Sequence, residues 1–542
     1  MYQLRILKWV LIITSVLSRT NQRKEAVIME KKPLSRTELE VIRGNNSLSR
    51  YLEALLSGRS ATPHSWLYER EDAQHTLERW IPLMQKGNRS SQFGDEFNRF
   101  DEVQIEKFGP QGAIPPVDSE EASSVIEPLY SPSEYDDEEA LSNWFLKADE
   151  FGNAVFRSPK RGRPLSLESV IDDMRIRDSL NTNSGYPRYA RRNAVKSEEI
   201  LDAESGKAWD YPAIVLFRFY FGKLRPVWMY PMARNLKEMS YQQPIQRALQ
   251  ESPLEWVKQY LTPWTGYEYV KRTLTEQWTG GQIIGGDTTK MDAHMRPAQL
   301  RLFYEIVKWY FQESYWEELK QWIMQVNTIE LLVGPDQKLT GIHGLASGSA
   351  WTQLSETTLQ LFMAWISGQQ GQGIGDDFYW LSDYTAEELV DFLSEFGLPA
   401  NADKQTVARD MLHFLQRMNH QSFFSREDST VLGGYYPTIR ALNSMLWPEK
   451  FHKPKLWNSD MFCTRNYMIL ENCVDNPCFD EFLTFVVHGQ KDMIPFAKKS
   501  PAELKKIQQQ ARRVPGLTPS YNQEKLNKPL SEFVSIKLAA TL

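Results

Sequence analysis

The 542-residue sequence is poor in cysteine, with only Cys463, Cys473 and Cys478. An odd and small number of cysteines in a long chain argues against a disulfide framework and favours a reducing compartment. Cys473 and Cys478 lie close together but lack further ligands at zinc-binding spacing, so we interpret them as ordinary thiols. The sequence therefore disfavours the disulfide-rich secreted and zinc-finger classes.

Long hydrophobic runs are missing as well. The apolar run at residues 9–17 follows Arg5 and Lys8 and resembles a weak signal-peptide core. It is shorter than the roughly 20 apolar residues that a helix needs to span a bilayer. We interpret residues 1–28 as a leader segment ahead of an alternative start at Met29, rather than as a secretion signal, and we expect no membrane partner.

A net positive charge is also lacking, because the formal charge at pH 7 is −6. The charges are segregated, however: residues 118–139 contain nine acids and no Lys or Arg, whereas residues 157–192 contain nine bases against four acids. Nucleic-acid binding depends on the local field, so the net charge does not exclude it. The 41% hydrophobic and 12% aromatic content excludes disorder and predicts a large folded core.

The length predicts several subdomains, at roughly 150 residues for each. Residues 51–56 indicate a helical N-terminal region, and the prolines and acids of residues 111–140 predict a loop or linker. Further along the chain, hydrophobic spacing and turn residues predict a strand at 283–284, a helix at 300–311, a small-residue loop at 344–349, a helix at 352–365, a hairpin turn at 371–381 and a helix at 385–396 ending at Gly397.

Three aspartates carry the chemistry of the predicted site. Asp287 follows a predicted strand, and Asp376 and Asp377 lie on a tight turn that Gly375 permits. Extension of an RNA chain uses two cations about 3.5–4 Å apart, so carboxylates must converge on one small volume. Alone, Gly-Asp-Asp is weak support, since it arises by chance in roughly one chain of this length in ten.

Other residues would complete such a site, although each has an ordinary structural alternative. Asp292 follows Asp287 by five positions and would point at the ribose, unless the segment is a surface turn. Lys223 and Arg225 alternate on an extended segment and would clamp a triphosphate. Lys404 would protonate the leaving pyrophosphate, unless it is simply an exposed lysine.

The loop around Gly348 supplies small hydroxyl groups and a pliable backbone. Ser347 and Thr352 flank this glycine and would lie near a nucleotide sugar. Their structural alternative is the N-terminal cap of the helix that follows, a position that Ser favours.

In chain order these pieces resemble the motif series of viral RNA-dependent RNA polymerases. The series consists of residues 182–187, Lys223-x-Arg225-x-Val-Trp228, Asp287-x4-Asp292, Ser347-Gly-x3-Thr352, Gly375-Asp-Asp377, Lys404 and residues 413–417. The Lys-x-Arg-x-Val-Trp and Ser-Gly-Ser-x-x-Thr forms are most similar to the picobirnavirus and partitivirus group, and picobirnavirus is favoured. The resemblance covers about residues 175–445.

The resemblance implies an α+β fold, a closed right hand of fingers, palm and thumb with an antiparallel palm sheet and many helices. It also implies an N-terminal extension at 1–165, fingers at 166–280, a palm with an inserted fingers segment at 281–425, and a thumb with a C-terminal tail at 426–542.

The resemblance also implies a role for each motif residue. Two Mg²⁺ or Mn²⁺ ions would be held by Asp287, Asp376 and Asp377, with Lys404 as general acid. Nucleotide and ribose contacts would come from Lys223, Arg225, Asp292, Ser347, Gly348 and Thr352. Template and primer contacts would come from Thr182, Ser184, Gly185, Pro187, Arg188 and Arg417, with His413 beside the primer end.

One position departs from the family pattern. Glu356 stands where family members often carry Asn, which is thought to help Asp292 hold the ribose 2′ hydroxyl. The details of sugar discrimination are therefore open, whereas the metal-binding acids are unaffected.

The function that this implies is RNA-templated RNA synthesis, in transcription and replication of a viral double-stranded RNA genome. Its partners would be RNA template and product, nucleoside triphosphates and the viral capsid protein, in the virion interior or the host cytoplasm. One alternative is a reverse transcriptase-like polymerase, which Asp292 disfavours because an acid at the ribose site welcomes a 2′ hydroxyl. Another is a non-enzymatic virion RNA-binding protein, which leaves the acids unexplained.

Overall fold

The structure, a computed structural model, describes residues 29–158, 160–514, 516–517 and 528–542. The predicted leader at 1–28 lies outside them. The strands are β1 (Glu30–Pro33), β2 (Ala213–Tyr220), β3 (Lys223–Met229), β4 (Ile283–Asp287), β5 (Leu331–Leu332), β6 (Gln337–Thr340), β7 (Gln370–Ile374), β8 (Asp377–Leu381), β9 (Thr406–Ala408), β10 (Met411–Phe414) and β11 (Arg417–His420).

The helices lie mainly between and around these strands. They are α1 (Arg36–Gly44), α2 (Asn46–Ser57), α3 (Ala73–Asn88), α4 (Gly94–Glu102), α5 (Glu120–Ile126), α6 (Phe145–Val155), α7 (Leu167–Ile176), α8 (Arg192–Glu204), α9 (Met232–Gln250), α10 (Glu255–Tyr260), α11 (Tyr267–Gln277), α12 (Met291–His294), α13 (Pro297–Val307), α14 (Trp316–Met324), α15 (Thr352–Ser367), α16 (Ala386–Ser394), α17 (Thr438–Leu446), α18 (Ser459–Leu470), α19 (Phe479–His488), α20 (Met493–Ala497), α21 (Pro501–Ala511) and α22 (Val534–Ala539).

A four-stranded antiparallel sheet in the order β7-β8-β4-β9 forms the predicted palm. Its middle strands are apolar on both faces: Ile283, Ile284, Phe378 and Trp380 are fully buried. Helices and the β10–β11 hairpin cover the sheet, so the strands read as continuous apolar runs rather than as alternating ones. The antiparallel palm sheet of the predicted α+β fold is therefore present.

A second, five-stranded sheet has the order β1-β6-β5-β2-β3. β2 and β3 form a long antiparallel hairpin, and β2 pairs with β5 in parallel. β1, at the start of the described chain, pairs with β6. The N-terminal region is thus built into the sheet that carries Lys223 and Arg225.

The N-terminal region also contributes to a second hydrophobic core. Leu77, Trp80 and Met84 of α3 are buried among the helices α17 to α22 of the predicted thumb. Residues 34–55 and 122–156 instead join the largest core, which extends to Leu398. The boundaries of the four predicted regions stay predictions. Both hydrophobic cores include residues from each side of the first boundary, between residues 165 and 166.

The acidic segment at 111–140 is not the loop or linker that we predicted. It contains α5 and two 3-10 helices, Glu127–Tyr130 and Glu134–Asp136, and it buries Ile126 and Tyr130. The Nε of the buried Arg296 donates to Oδ1 of Asp136 at 2.6 Å. The prediction was wrong because apolar residues spaced between the acids dock this segment on the core.

The helices predicted from spacing are present with small shifts at their ends. Residues 51–56 lie in α2 and residues 352–365 in α15, while the helix predicted at 300–311 is α13 followed by a 3-10 turn, Lys308–Tyr310. Thr385 caps α16 in a capping box with Glu388. Within the described ranges, no helix has the length and apolar character that a bilayer span requires.

Candidate active site

Three aspartates meet at one end of the palm sheet. β4 ends at Asp287, which lies directly opposite Asp377 at the start of β8. Residues opposite each other in an antiparallel pair have Cα atoms about 4.5–5.5 Å apart. Asp376 occupies the β7–β8 turn beside them, where Gly375 adopts a φ of +61° that residues with side chains disfavour. The structure therefore brings together the three residues predicted to bind metal.

The carboxyl groups of these aspartates influence one another electrostatically. Burial raises the pKa of Asp287 and the charge of Asp376 raises it further, whereas Lys404 and Lys223 lower it. Burial also raises the pKa of Asp377 well above its ordinary value, and the charges of Asp376 and Asp287 add to this effect. A cation bound between the carboxylates would relieve their repulsion.

The donor chemistry of this cluster fits divalent cations, because Mg²⁺ and Mn²⁺ prefer carboxylate oxygens. Among the residues that the structure describes, however, no group of three or more His, Cys, Asp or Glu side chains forms a ready-made metal site. Oδ2 of Asp377 instead accepts a hydrogen bond from the backbone N–H of Leu415 at 2.9 Å. Metal binding by Asp287, Asp376 and Asp377 stays a prediction, and the Leu415 hydrogen bond uses only one of the two carboxylate oxygens of Asp377.

Gln405 fixes the backbone at Asp287, and sequence reasoning missed it. Its side-chain Oε1 accepts from the Asp287 backbone N–H at 3.0 Å, and its Nε2 donates to the Asp287 carbonyl oxygen at 3.0 Å. The neighbouring Lys404 ends a 3-10 helix just before β9, and its charge lowers the pKa of Asp287. The structure thus brings Lys404 close to the acids, as its predicted role requires.

Glu356, which is buried, pairs with the solvent-exposed Asp292 beside Asp376. Desolvation of its carboxyl group raises the pKa of Asp292, an effect that its hydrogen bond with Glu356 and the charge of Arg225 partly oppose. Burial and the charges of Asp292 and Asp376 raise the pKa of Glu356 well above its ordinary value. Two hydrogen-bonded carboxyl groups need a proton between them. Glu356, which replaces the expected Asn, therefore contacts Asp292 as that Asn is thought to do.

The predicted cations of β3 lie close to these acids. Lys223 and Arg225 are exposed on β3, and their charges lower the pKa of Asp287 and of Asp292, respectively. Lys107, from the N-terminal region, has its pKa lowered by burial and by the charge of Lys223. The predicted pair of cations is therefore close to the acids, and Lys107 lies beside Lys223.

The loop before α15 is tightly built at Gly348. A Cβ at this glycine would lie 1.8 Å from the carbonyl oxygen of Trp228, so no side chain fits. Thr352 donates its hydroxyl to the carbonyl oxygens of Ser349 and Ala346 at 3.1 and 3.3 Å. Within the described residues, the buried hydroxyl of Ser347 has no hydrogen-bond partner. Of the three predicted residues, Ser347 thus carries a hydroxyl group that is buried and unpaired among the residues that the structure describes.

Glu238 also holds the loop before α15, and sequence reasoning did not identify it. This fully buried carboxylate accepts from the Ser349 hydroxyl at 2.9 Å and from the Ala350 backbone N–H at 2.8 Å. Asn235, on the same helix α9, donates to the Gly348 carbonyl oxygen at 3.2 Å. Neither residue stands out locally, because their partners lie more than a hundred positions away along the chain.

Comparison with known proteins gives a consistent result. The chain is 25% identical over 517 residues to the "Potential RNA-dependent RNA polymerase" of Human picobirnavirus (strain Human/Thailand/Hy005102/-), which covers 88% of this chain and 91% of the relative. No protein-family model matches the chain. The crystal structure of the RNA-dependent RNA polymerase of a human picobirnavirus has a TM-score of 0.76 at 21% identity, over 94% of this chain and 100% of that one.

This chain has the fold of a viral RNA-dependent RNA polymerase. The resemblance predicted from the ordered motifs is confirmed, and so is the α+β fold class. The crystal structure of an insertion-loop deletion mutant of a human picobirnavirus polymerase is similar as well, with a TM-score of 0.75 at 22% identity over 94% of this chain and 100% of that one.

In this polymerase fold, the predicted template segment is a tightly bonded loop. Thr182 donates its hydroxyl to the Ser179 carbonyl oxygen at 2.7 Å, and the buried Ser184 accepts from the Ala190 backbone N–H at 3.2 Å. Gly185 has a φ of +70°, and the Pro187 carbonyl oxygen accepts from Asn45. Their hydrogen bonds hold the loop in shape, and their contacts with template stay predictions.

Two arginines of the polymerase fold are less available to RNA than we predicted. Arg188 forms ion pairs with Glu199 at 3.0 Å and with Asp202 at 2.7 Å, so its charge is already balanced. Arg417 is only 4% exposed and lies 3.8 Å above the ring centroid of Tyr267. Arg417 therefore packs against Tyr267 in this conformation, and its contact with a primer stays a prediction.

Proposed function

We propose that this chain is an RNA-directed RNA polymerase that transcribes and replicates a double-stranded RNA genome by two-metal nucleotidyl transfer. The observation that carries the proposal is the position of Asp287 opposite Asp377, with Asp376 in the adjoining turn, at the end of the palm sheet. The overall similarity to picobirnavirus polymerases supports it. Aspartates at a turn, without this arrangement and this similarity, would not support the proposal.

In the proposed reaction, Asp287, Asp376 and Asp377 would hold two Mg²⁺ or Mn²⁺ ions. Such ions activate the attacking 3′ hydroxyl and neutralise the charge that develops on the α-phosphate. The 3′ hydroxyl would release its proton to solvent as the bond from its oxygen to the α-phosphorus forms and the bond to pyrophosphate breaks. Gln405 supports this step indirectly, because it fixes the backbone that carries Asp287.

Basic residues of the chain would handle the phosphates of the substrate. Lys223 and Arg225 face the acids from β3 and would bind the triphosphate, Arg225 in bidentate fashion. Lys404 would transfer a proton from Nζ to the departing pyrophosphate. Its closeness to Asp287 supports this assignment, because the charge of Lys404 lowers the pKa of that carboxyl group.

Selection of ribose would depend on Asp292 together with Glu356. Asp292 would accept a hydrogen bond from the 2′ hydroxyl, and Glu356 would orient Asp292 through the hydrogen bond that joins their carboxyl groups. Ser347, Gly348 and Thr352 would form the adjoining wall of the nucleotide site. The proposed partners are RNA template and product, nucleoside triphosphates and the capsid protein, in the virion interior or the host cytoplasm.

A primer-extension assay on an RNA template tests this function. We expect the purified protein to incorporate ribonucleotides with Mg²⁺ or Mn²⁺, and we expect Asp377→Asn to abolish incorporation while RNA binding is retained. Asp383→Asn is the matched control, because Asp383 is exposed on the loop after β8. Equal incorporation by wild type and Asp377→Asn would overturn the proposal, and a preference for deoxynucleotides would favour a reverse transcriptase instead.

A further inference from the structure

The β10–β11 hairpin, residues 411–420, is hydrogen-bonded to one of the proposed catalytic carboxylates. The backbone N–H of Leu415, at its turn, donates to Oδ2 of Asp377 at 2.9 Å. Leu415 and Gln416 have φ values of +50° and +61°, a left-handed conformation that residues with side chains rarely adopt. Such a turn keeps its shape only where the surrounding structure holds it.

One face of this hairpin rests on the palm sheet. Leu412 and Phe414 point toward the sheet, as alternate residues of a strand do, and the ring of Phe414 lies 5.1 Å from that of Tyr379. A Cβ on Gly285 of β4 would lie 2.9 Å from the His413 carbonyl oxygen. The absence of a side chain at Gly285 thus lets the hairpin approach the strand that carries Asp287.

The opposite face of the hairpin packs against the aromatic face of α4, which we define as the N-cap residue Phe93 with Phe97 and Phe100. His413 on this face stays exposed to solvent. The ring of Phe100 stacks on His413 at 4.8 Å between centroids, and the ring of Phe93 lies 3.7 Å from that of His420. Phe97, fully buried, completes this cluster. The hairpin is therefore clamped between the palm sheet and a helix of the N-terminal region.

Helix α4 is itself fixed to the predicted thumb. Asp101, near its C-terminal end, is fully buried and accepts from the backbone N–H groups of Thr438 and Ile439 at 2.7 and 2.8 Å. The Tyr435 hydroxyl donates to the same carboxylate at 2.7 Å. A continuous line of contacts thus runs from the thumb through α4 and the hairpin to Asp377.

We infer that α4 is a positioning element of the active site, in which Phe100 holds the β10–β11 hairpin so that the Leu415 N–H sets the orientation of the Asp377 carboxylate. Phe100 is a positioning residue and does not touch substrate. This inference deepens the proposed function and rests on it, because Asp377 matters to catalysis only if the chain is a polymerase.

The test compares Phe100→Ala with Val103→Ala, since Val103 is 56% exposed at the end of the same helix. We expect Phe100→Ala to speed hydrogen exchange in a peptide covering residues 411–420. We also expect kcat to fall about tenfold, because small misplacement of a reacting group is costly. KM for nucleotide and affinity for RNA should not change, and half-maximal activity should need more Mn²⁺. Val103→Ala should match wild type.

Conservative variants separate positioning from loss of folding. Phe100→Tyr keeps the ring, so its hydrogen exchange in the hairpin and its kcat should match those of wild type. Phe100→Leu keeps only the apolar contact and replaces Phe100→Ala in the test if Phe100→Ala does not fold. Unchanged exchange in the hairpin, or a fall in kcat that only follows the loss of folded protein, would overturn the inference. An inactive wild type would instead contradict the proposed function, while the exchange measurement would still report on the clamp.

Discussion

At the scale of single residues, the pair of Asp292 and Glu356 would determine the selection of ribose over deoxyribose. Glu356 is 6% exposed and shares a hydrogen bond with Asp292, and burial together with the neighbouring acids raises its pKa well above the ordinary value. A neutral Glu356 can donate to Asp292, as a carboxamide can. The substitution of Asn by Glu at this position therefore preserves the hydrogen bond while changing its chemistry.

Glu356→Gln and Glu356→Ala test this arrangement. Gln keeps a neutral donor, so we expect its preference for ribonucleotides over deoxynucleotides to stay near that of wild type. Ala removes the donor, and loss of a hydrogen bond to a charged group should lower the preference roughly tenfold. The measurement is the ratio of kcat/KM for the two kinds of nucleotide. A loss with Gln as large as with Ala would show that the carboxyl group itself is required.

At the scale of elements, a buried carboxylate joins α4 to α17. Asp101 occupies the N-terminal end of α17 in space although it belongs to another helix, and it accepts the N–H groups of Thr438 and Ile439 that begin α17. The Thr438 hydroxyl donates to it as well, at 2.7 Å. A capping residue supplied from more than 300 positions away ties the two elements together.

Asp101→Ala should lower the free energy of unfolding by about 2 kcal/mol or more, because buried N–H groups lose their acceptor. Asp95→Ala, at an exposed position of the same helix, should change little. Chemical denaturation of the two variants and of wild type measures both effects. Equal stability of the two variants would contradict the capping role.

The same residue gives a pH dependence with a definite sign. Burial raises the pKa of Asp101 to about 6, so the folded protein binds more protons than the unfolded chain below that pH. The contribution of Asp101 to the free energy of unfolding should therefore be greatest in acid and should fall as the pH rises toward about 6. Chemical denaturation across this pH range measures the free energy of unfolding of wild type and of Asp101→Ala. The difference between the two free energies should become smaller as the pH rises.

At the scale of the whole molecule, the N-terminal region contacts the predicted fingers, palm and thumb. β1 extends the sheet of β2 and β3, α4 covers the β10–β11 hairpin, and α3 lies in the core of the thumb helices. The predicted fingers and thumb also contact each other directly, because Arg218 on β2 forms a bidentate ion pair with Glu449 at 2.6 and 2.8 Å. A region predicted as an extension is thus part of the frame that encloses the site.

Trp80→Ala tests how far the thumb depends on this region. Trp80 is fully buried among the thumb helices and donates its indole N–H to the Thr438 hydroxyl at 2.9 Å. We expect a loss of about 3–5 kcal/mol in the free energy of unfolding. Leu83→Ala, at a 41% exposed position on the same helix, is the control and should have a small effect. A Trp80→Ala protein as stable as the control would mean that the thumb folds without α3.

The sequence by itself determined the motif series and the local structure around it. Asp287 at a strand end, the Gly375 turn and the helix after Gly348 were predictable because strand, turn and helix signals act over a few residues. The order of the motifs supplied the fold class and the polymerase resemblance. Chemistry and order together therefore predicted which acids should meet.

Only the tertiary structure decided what surrounds those acids. The Gln405 side chain clamps Asp287 from 118 positions away, and the Leu415 N–H reaches Asp377 across 38 positions. The sequence suggested that Arg188 and Arg417 are exposed cations. In the structure Arg188 is ion-paired and Arg417 is buried. These outcomes were out of reach because a hydrogen bond or an ion pair between distant segments leaves no periodic signal in either one.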